Sequence, residues 1–169
     1  NWGTGSVDTA GTFATLHTNF TTASGNSFAS SGGLSGGVSW SNLSTGLVLV
    51  NIGNSNVSLT LQSDKTAATF IGGGTSSPAP WYQWMINNFT TDDGAPGFNA
   101  GEPGSCTNGS VGFNNYVNVS QASPLAACPH FDHRDASDEL EIDLYLLIPL
   151  DSPPGGKNST LTATATALP

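Results

Sequence analysis

The stretch Leu140-Glu141-Ile142-Asp143-Leu144-Tyr145-Leu146-Leu147-Ile148-Pro149-Leu150 decides the fold. Leu140, Ile142, Leu144, Leu146, Ile148 and Leu150 recur at every second position and alternate with Glu141, Asp143, Tyr145, Leu147 and Pro149. Successive side chains of a strand point to opposite faces, so the run reads as a long strand with one core-facing side. Downstream, Leu161, Ala163, Ala165 and Ala167 alternate with Thr160, Thr162, Thr164 and Thr166, and Pro153-Pro154-Gly155-Gly156 lies between the two runs. That pattern predicts a hairpin, with its small alanines pressed close to another sheet.

Further β-like runs occupy residues 38–43, 46–52, 57–62, 67–71, 81–89 and 111–119, each bounded by Gly, Pro, Asn or Ser. Helical patterning is confined to short candidates, residues 132–140 and a turn near 122–127. Residues 72–80 and 92–104 read as surface loops, and no composition shift marks a second domain. The expectation is an all-β chain with little helix: a jelly-roll-like β-sandwich spanning residues 19–169, preceded by an N-terminal donor strand in residues 1–18.

Composition narrows the function. Only 9% of the 169 residues are charged, the formal net charge is -9, and the three basic residues are Lys65, Arg134 and Lys157. Such a chain cannot neutralise a row of phosphates, which excludes nucleic acid as a partner. No apolar run is long enough to span a bilayer, and the start at Asn1 without a basic, apolar leader reads as an exported chain whose signal peptide has been removed. In an exported chain the two cysteines, Cys106 and Cys128, are expected to form a disulfide. Seven Asn-X-Ser/Thr sequons, at Asn19, Asn42, Asn56, Asn88, Asn108, Asn118 and Asn158, point the same way, because N-linked glycans are added to exported chains. None lies in residues 1–18 or between Val119 and Lys157, so those two stretches are the expected contacts between subunits.

The N-terminal segment is β-prone and uncharged apart from Asp8, with Val7, Phe13 and Leu16 set among small residues such as Thr9 and Gly11. A strand of this kind invites pairing with another chain's sheet edge, and a head-to-tail contact of that sort propagates as a polymer. Val7, Thr9, Gly11, Phe13 and Leu16 are then the expected interface residues. From pattern alone it reads equally well as the first strand of its own sandwich.

Four segments bear on that choice. Asn26-Ser27-Phe28-Ala29-Ser30, Trp40-Ser41-Asn42-Leu43-Ser44-Thr45-Gly46, Leu49-Val50-Asn51-Ile52-Gly53-Asn54 and Val57-Ser58-Leu59-Thr60-Leu61 follow one another in the order that resembles the front half of the TasA and camelysin group of secreted fibre proteins. The tail is similar as well: a long strand ending Ile-Pro-Leu, a Pro/Gly turn and a Thr-alternating closing strand. With the sequons, the resemblance is to the archaeal members, subunits of bundling pili and thread-like filaments. It implies a jelly roll lacking one strand, filled by the N-terminal segment of the next subunit, in a homopolymer at the cell surface serving biofilm or cell-cell contact. The chain departs from the bacterial members in its scarcity of lysine and its Cys pair.

The remaining chemistry is sparse. Asp132, Asp135, Asp138, Glu139, Glu141 and Asp143 hold half the carboxylates, and Asp92-Asp93 adds two in a Gly/Pro loop. Hard oxygen ligands of this kind suit Ca²⁺, and Asp92, Asp93, Asp132, Asp135, Asp138 and Glu139 are the residues that would hold it; solvated acids beside Arg134 are the preferred account. No cofactor is therefore expected to be required beyond N-linked glycans. Cys128-Pro129-His130 with His133 offers too few ligands for a transition metal once Cys128 is paired. No nucleophile elbow, phosphate loop or zinc-protease motif occurs, and no enzyme is expected. The rival readings are a carbohydrate-binding or adhesive jelly roll using Trp81, Tyr82 and Trp84, although adjacent strand residues face opposite ways, and a glycoside hydrolase pairing Asp132 with Glu139.

Overall fold

The structure is a computed structural model that describes residues 4–5, 13–17, 40–41, 46–75, 78–87, 105–107, 112, 115–134 and 137–169. In chain order the elements are β1 (Thr4–Gly5), β2 (Phe13–His17), β3 (Trp40–Ser41), β4 (Leu47–Val50), β5 (Val57–Ser63), α1 (Ala67–Phe70), β6 (Trp81–Asn87), β7 (Cys106–Thr107), β8 (Val117–Asn118), β9 (Leu125–Phe131), β10 (Glu139–Pro149) and β11 (Leu161–Ala167). Every strand pairing is antiparallel.

Strand β10 is the spine of the larger sheet. One side pairs along its length with β6, which pairs in turn with β8. The other side is shared: β4 covers Glu139 to Ile142 and β2 covers Tyr145 to Pro149, so the two lie end to end. The second sheet runs β11-β5-β9-β7, and β1 and β3 form a short separate ribbon. The alternation in β10 has its expected effect. Leu140, Ile142, Leu144 and Leu146 join Tyr82, Trp84 and Ile86 of β6 and Leu16 of β2 in one core with Leu59, Leu61, Ala127, Cys128 and Phe131 of the second sheet. Each such side chain contributes about 2 kcal/mol by leaving water. The chain is thus the expected all-β sandwich with almost no helix.

Two glycine features lock the layers. Gly72, Gly73 and Gly74 have φ of 74°, 76° and 84°, a left-handed run that glycine adopts without Cβ clashes. The turn wraps the Asp151 carboxylate, which accepts from Gly74 N at 2.9 Å and Thr75 N at 3.0 Å and so ties the end of α1 to the end of β10. Gly112 lies against the Trp84 ring, where a Cβ would sit 2.1 Å from Cζ3.

Several sequence expectations are corrected. β10 and β11 do not form a hairpin but lie in different sheets. The connection of residues 150–160 is far longer than the two-residue turn that forces neighbouring strands to pair. Ala163, Ala165 and Ala167 stand in register with Leu61, Leu59 and Val57 yet are exposed, so they are not pressed against another sheet. Residues 67–70 form a helical turn rather than a strand, because Thr66 and Thr69 make a reciprocal capping box around two alanines. β9 replaces the turn expected near residues 122–127 and contains Pro129. Its register against β5 shifts twice, and these irregularities absorb a residue without an N–H. Described residues 137–140 lie in or lead into β10, and none of residues 132–134 and 137–140 is helical.

Candidate functional site

The shared edge of β10 is the most unusual part of the molecule. β2 docks there with Ala14 opposite Ile148 and Leu16 opposite Leu146, which turns both side chains toward the core; Leu16 is fully buried and Ala14 nearly so. Thr15, on the other face opposite Leu147, is buried as well. β2 has β10 as its only paired strand among the described residues. Of the expected interface residues, Phe13 and Leu16 therefore pair within their own chain, while Val7, Thr9 and Gly11 lie outside the described residues.

β4 continues the same edge. Its Leu47, Val48 and Val50 are 47%, 43% and 46% exposed, and Ile52 just beyond is 92% exposed. This uncharged apolar edge strand has no paired strand on its outer side among the described residues, the condition that natural sheets usually avoid with Lys, Pro or a bulge. Asn51 pins its far end: Nδ2 donates to the carbonyl oxygens of Ser55 at 3.1 Å and Asp132 at 2.9 Å, and Oδ1 accepts from Gly53 N at 3.2 Å. The sequence signal for this site was the run Leu47-Val48-Leu49-Val50, apolar at every position and so unlike a half-buried strand.

The described acidic residues do not form one cluster: Glu141 and Asp143 lie together beside Gly46, whereas Asp132 pairs with Arg134. Asp132 is buried, and both its oxygens accept from the Arg134 guanidinium while Oδ1 also accepts from His133 N at 2.7 Å. The Arg134 hydrogen bonds hold this carboxyl well below the usual range. Among the described residues no three His, Cys, Asp or Glu side chains are placed to hold a metal ion, so Asp132, Asp138 and Glu139 do not form a cation site by themselves. Asp92, Asp93 and Asp135 lie outside the described residues.

His130 and His133 flank Asn56. Asn56 Nδ2 donates to His130 Nε2 at 3.0 Å, and His133 Nδ1 donates to Asn56 Oδ1 at 2.6 Å. Cys106 of β7 and Cys128 of β9 are joined in a disulfide with Cα atoms 5.7 Å apart. Among the sequons, Asn56, Asn118 and Asn158 are described, whereas Asn19, Asn42, Asn88 and Asn108 are not. Tyr82 and Trp84 are buried in the core and supply no sugar platform. Trp81, on the opposite face and 43% exposed, packs against Tyr145 at 6.0 Å between ring centroids, and Tyr145 packs against Tyr116 at 5.2 Å. Burial raises the Tyr116 hydroxyl pKa well above its ordinary value, with the nearby Asp143 charge adding to it.

Among the described residues no helix is long and apolar enough to cross a membrane. A scan against models of protein families and searches of curated proteins and of solved structures returned no match, so the functional reading rests on this geometry and on the sequence patterns.

Proposed function

We propose that this chain is the structural subunit of an extracellular, glycosylated filament and polymerises head to tail by exchanging its N-terminal strand. The observation that carries the reading is the seat of β2. It fills a slot beside residues Tyr145 to Pro149 with the fully buried Leu16, and residues 18–39 lie between it and the next described strand. That 22-residue segment is rich in Gly, Ser and Thr and has no charged residue. It spans at most about 75 Å when extended, enough to carry β2 into a second molecule.

The same contacts form whether the strand comes from its own chain or from a neighbour, so exchange is nearly neutral in contact energy. The tether favours self-filling, with an effective concentration on the order of millimolar. Assembly then depends on high local subunit concentration, such as delivery at a growing filament end. A jelly-roll topology and kinship with the TasA and camelysin group are part of this proposal, supported by the sequence resemblance. Extracellular location is supported by the sequons and agrees with the disulfide.

Deletion of residues 1–17 is the test. The truncated chain is expected to lose filaments in negative-stain images, and long fibres from it would refute the reading. A second reading, sugar binding, is favoured by the partly exposed Trp81 beside Tyr145 and Tyr116. Glycan-array binding abolished by Trp81→Ala would support it.

A further inference from the structure

The three described sequons differ in what their amide nitrogens do. Asn56 immediately precedes β5, an interior strand held between β11 and β9, and both ends of its amide are engaged by His130 and His133. Asn118 closes β8, an edge strand among the described residues, and is exposed; its Oδ1 accepts from Gln83 Nε2 at 3.0 Å, and Nδ2 has no partner among the described residues. Asn158 is exposed three residues before β11, the edge of the other sheet. Its Oδ1 accepts from Lys65 Nζ at 2.7 Å, and again Nδ2 has no partner among the described residues.

We infer that the folded protein carries N-linked glycans at Asn118 and Asn158, where they guard two open sheet edges, and that Asn56 is an unmodified latch between β5 and β9. This rests on the glycoprotein reading above and deepens it. β11 shows why a guard is needed. After the half-buried Leu161, the six residues Thr162 to Ala167 alternate Thr and Ala, carry no charge or proline and are exposed, which makes them a template for pairing with another chain. Proteins usually block such edges with Lys or Pro, and this chain has only two lysines, neither of them in β8 or β11. A sugar beside the strand supplies the bulk and hydration that charge supplies elsewhere. Asn56 needs no such guard because β5 is paired on both sides. Its Nδ2 is the atom a glycan would take, and a sugar there would displace His130 and force the amide out of its two hydrogen bonds.

Glycopeptide mass spectrometry of the native protein reads the occupancy directly. Sugar on Asn118 and Asn158 with Asn56 bare is the expected result. Sugar on Asn56, or bare edge sites while other sequons are occupied, overturns the inference but leaves the glycoprotein reading standing. No sugar on any sequon overturns both. Two variants test the assigned roles. Asn118→Gln with Asn158→Gln is expected to raise the pelletable, laterally associated fraction several-fold; an unchanged fraction sinks the guarding role. Asn56→Ala, made in a host lacking N-glycosylation, is expected to lower the melting temperature by several degrees; an unchanged melt sinks the latch.

Discussion

At Gly112 a single methyl group has no room, because a Cβ would lie 2.1 Å from a ring carbon of Trp84, itself 1% exposed in the core. Gly112→Ala is expected to destabilise the fold by about 2 kcal/mol through overpacking, seen as a lower urea midpoint. Asp132 contributes to the acid limb of stability. Its carboxyl is held below the ordinary range by Arg134, so its contribution is complete above the unfolded value of about 4 and is lost as the pH falls through the folded value. Arg134→Ala should therefore lower the melting temperature at pH 7, and the gap from wild type should shrink as the pH falls below about 4. At this scale the sequence was informative about facing and silent about partners. Strand alternation correctly separated Trp81 from Tyr82, but the pairing of Asn56 with His130 and His133 joins residues 74 and 77 positions apart. No local pattern encodes it.

Among the elements, β10 was legible because apolar residues at every second position from Leu140 to Ile148 leave one answer, and its central place follows from a burial pattern that exceeds one face. The strand β11 was read correctly but its partner was not, and α1 was misread as a strand, for a common reason: short runs of Ala and Thr carry little hydrophobic period, so sheet partners and capping hydroxyls decide their fate. β2 and β4 share one edge of β10, which makes β4 the neighbour of any exchanged strand. Val48→Lys with Val50→Lys replaces side chains that are 43% and 46% exposed, so the monomer should stay within about 1 kcal/mol of wild type in a denaturant titration. The same pair should shorten or abolish filaments in electron micrographs if this edge contacts the next subunit, because two unpaired charges would be buried there.

For the whole molecule, the two sheets, the disulfide and the core form one unit in which β2 is paired with β10, and the proposed function requires that strand to detach. The sequence made residues 1–18 a strand but could not tell its own slot from a neighbour's, since identical contacts form either way. The single chain fills its own slot; in the filament the neighbour's strand should take that place. A cysteine pair at two residues in register distinguishes them, with Ala14→Cys and Ile148→Cys introduced into an otherwise unchanged chain. Filaments of this variant, oxidised and run on a non-reducing denaturing gel, are predicted to give a ladder of covalent multimers that collapses to monomer on reduction. Filaments whose cross-linked protein runs only as monomer would mean that the strand stays at home, and would contradict polymerisation by strand exchange.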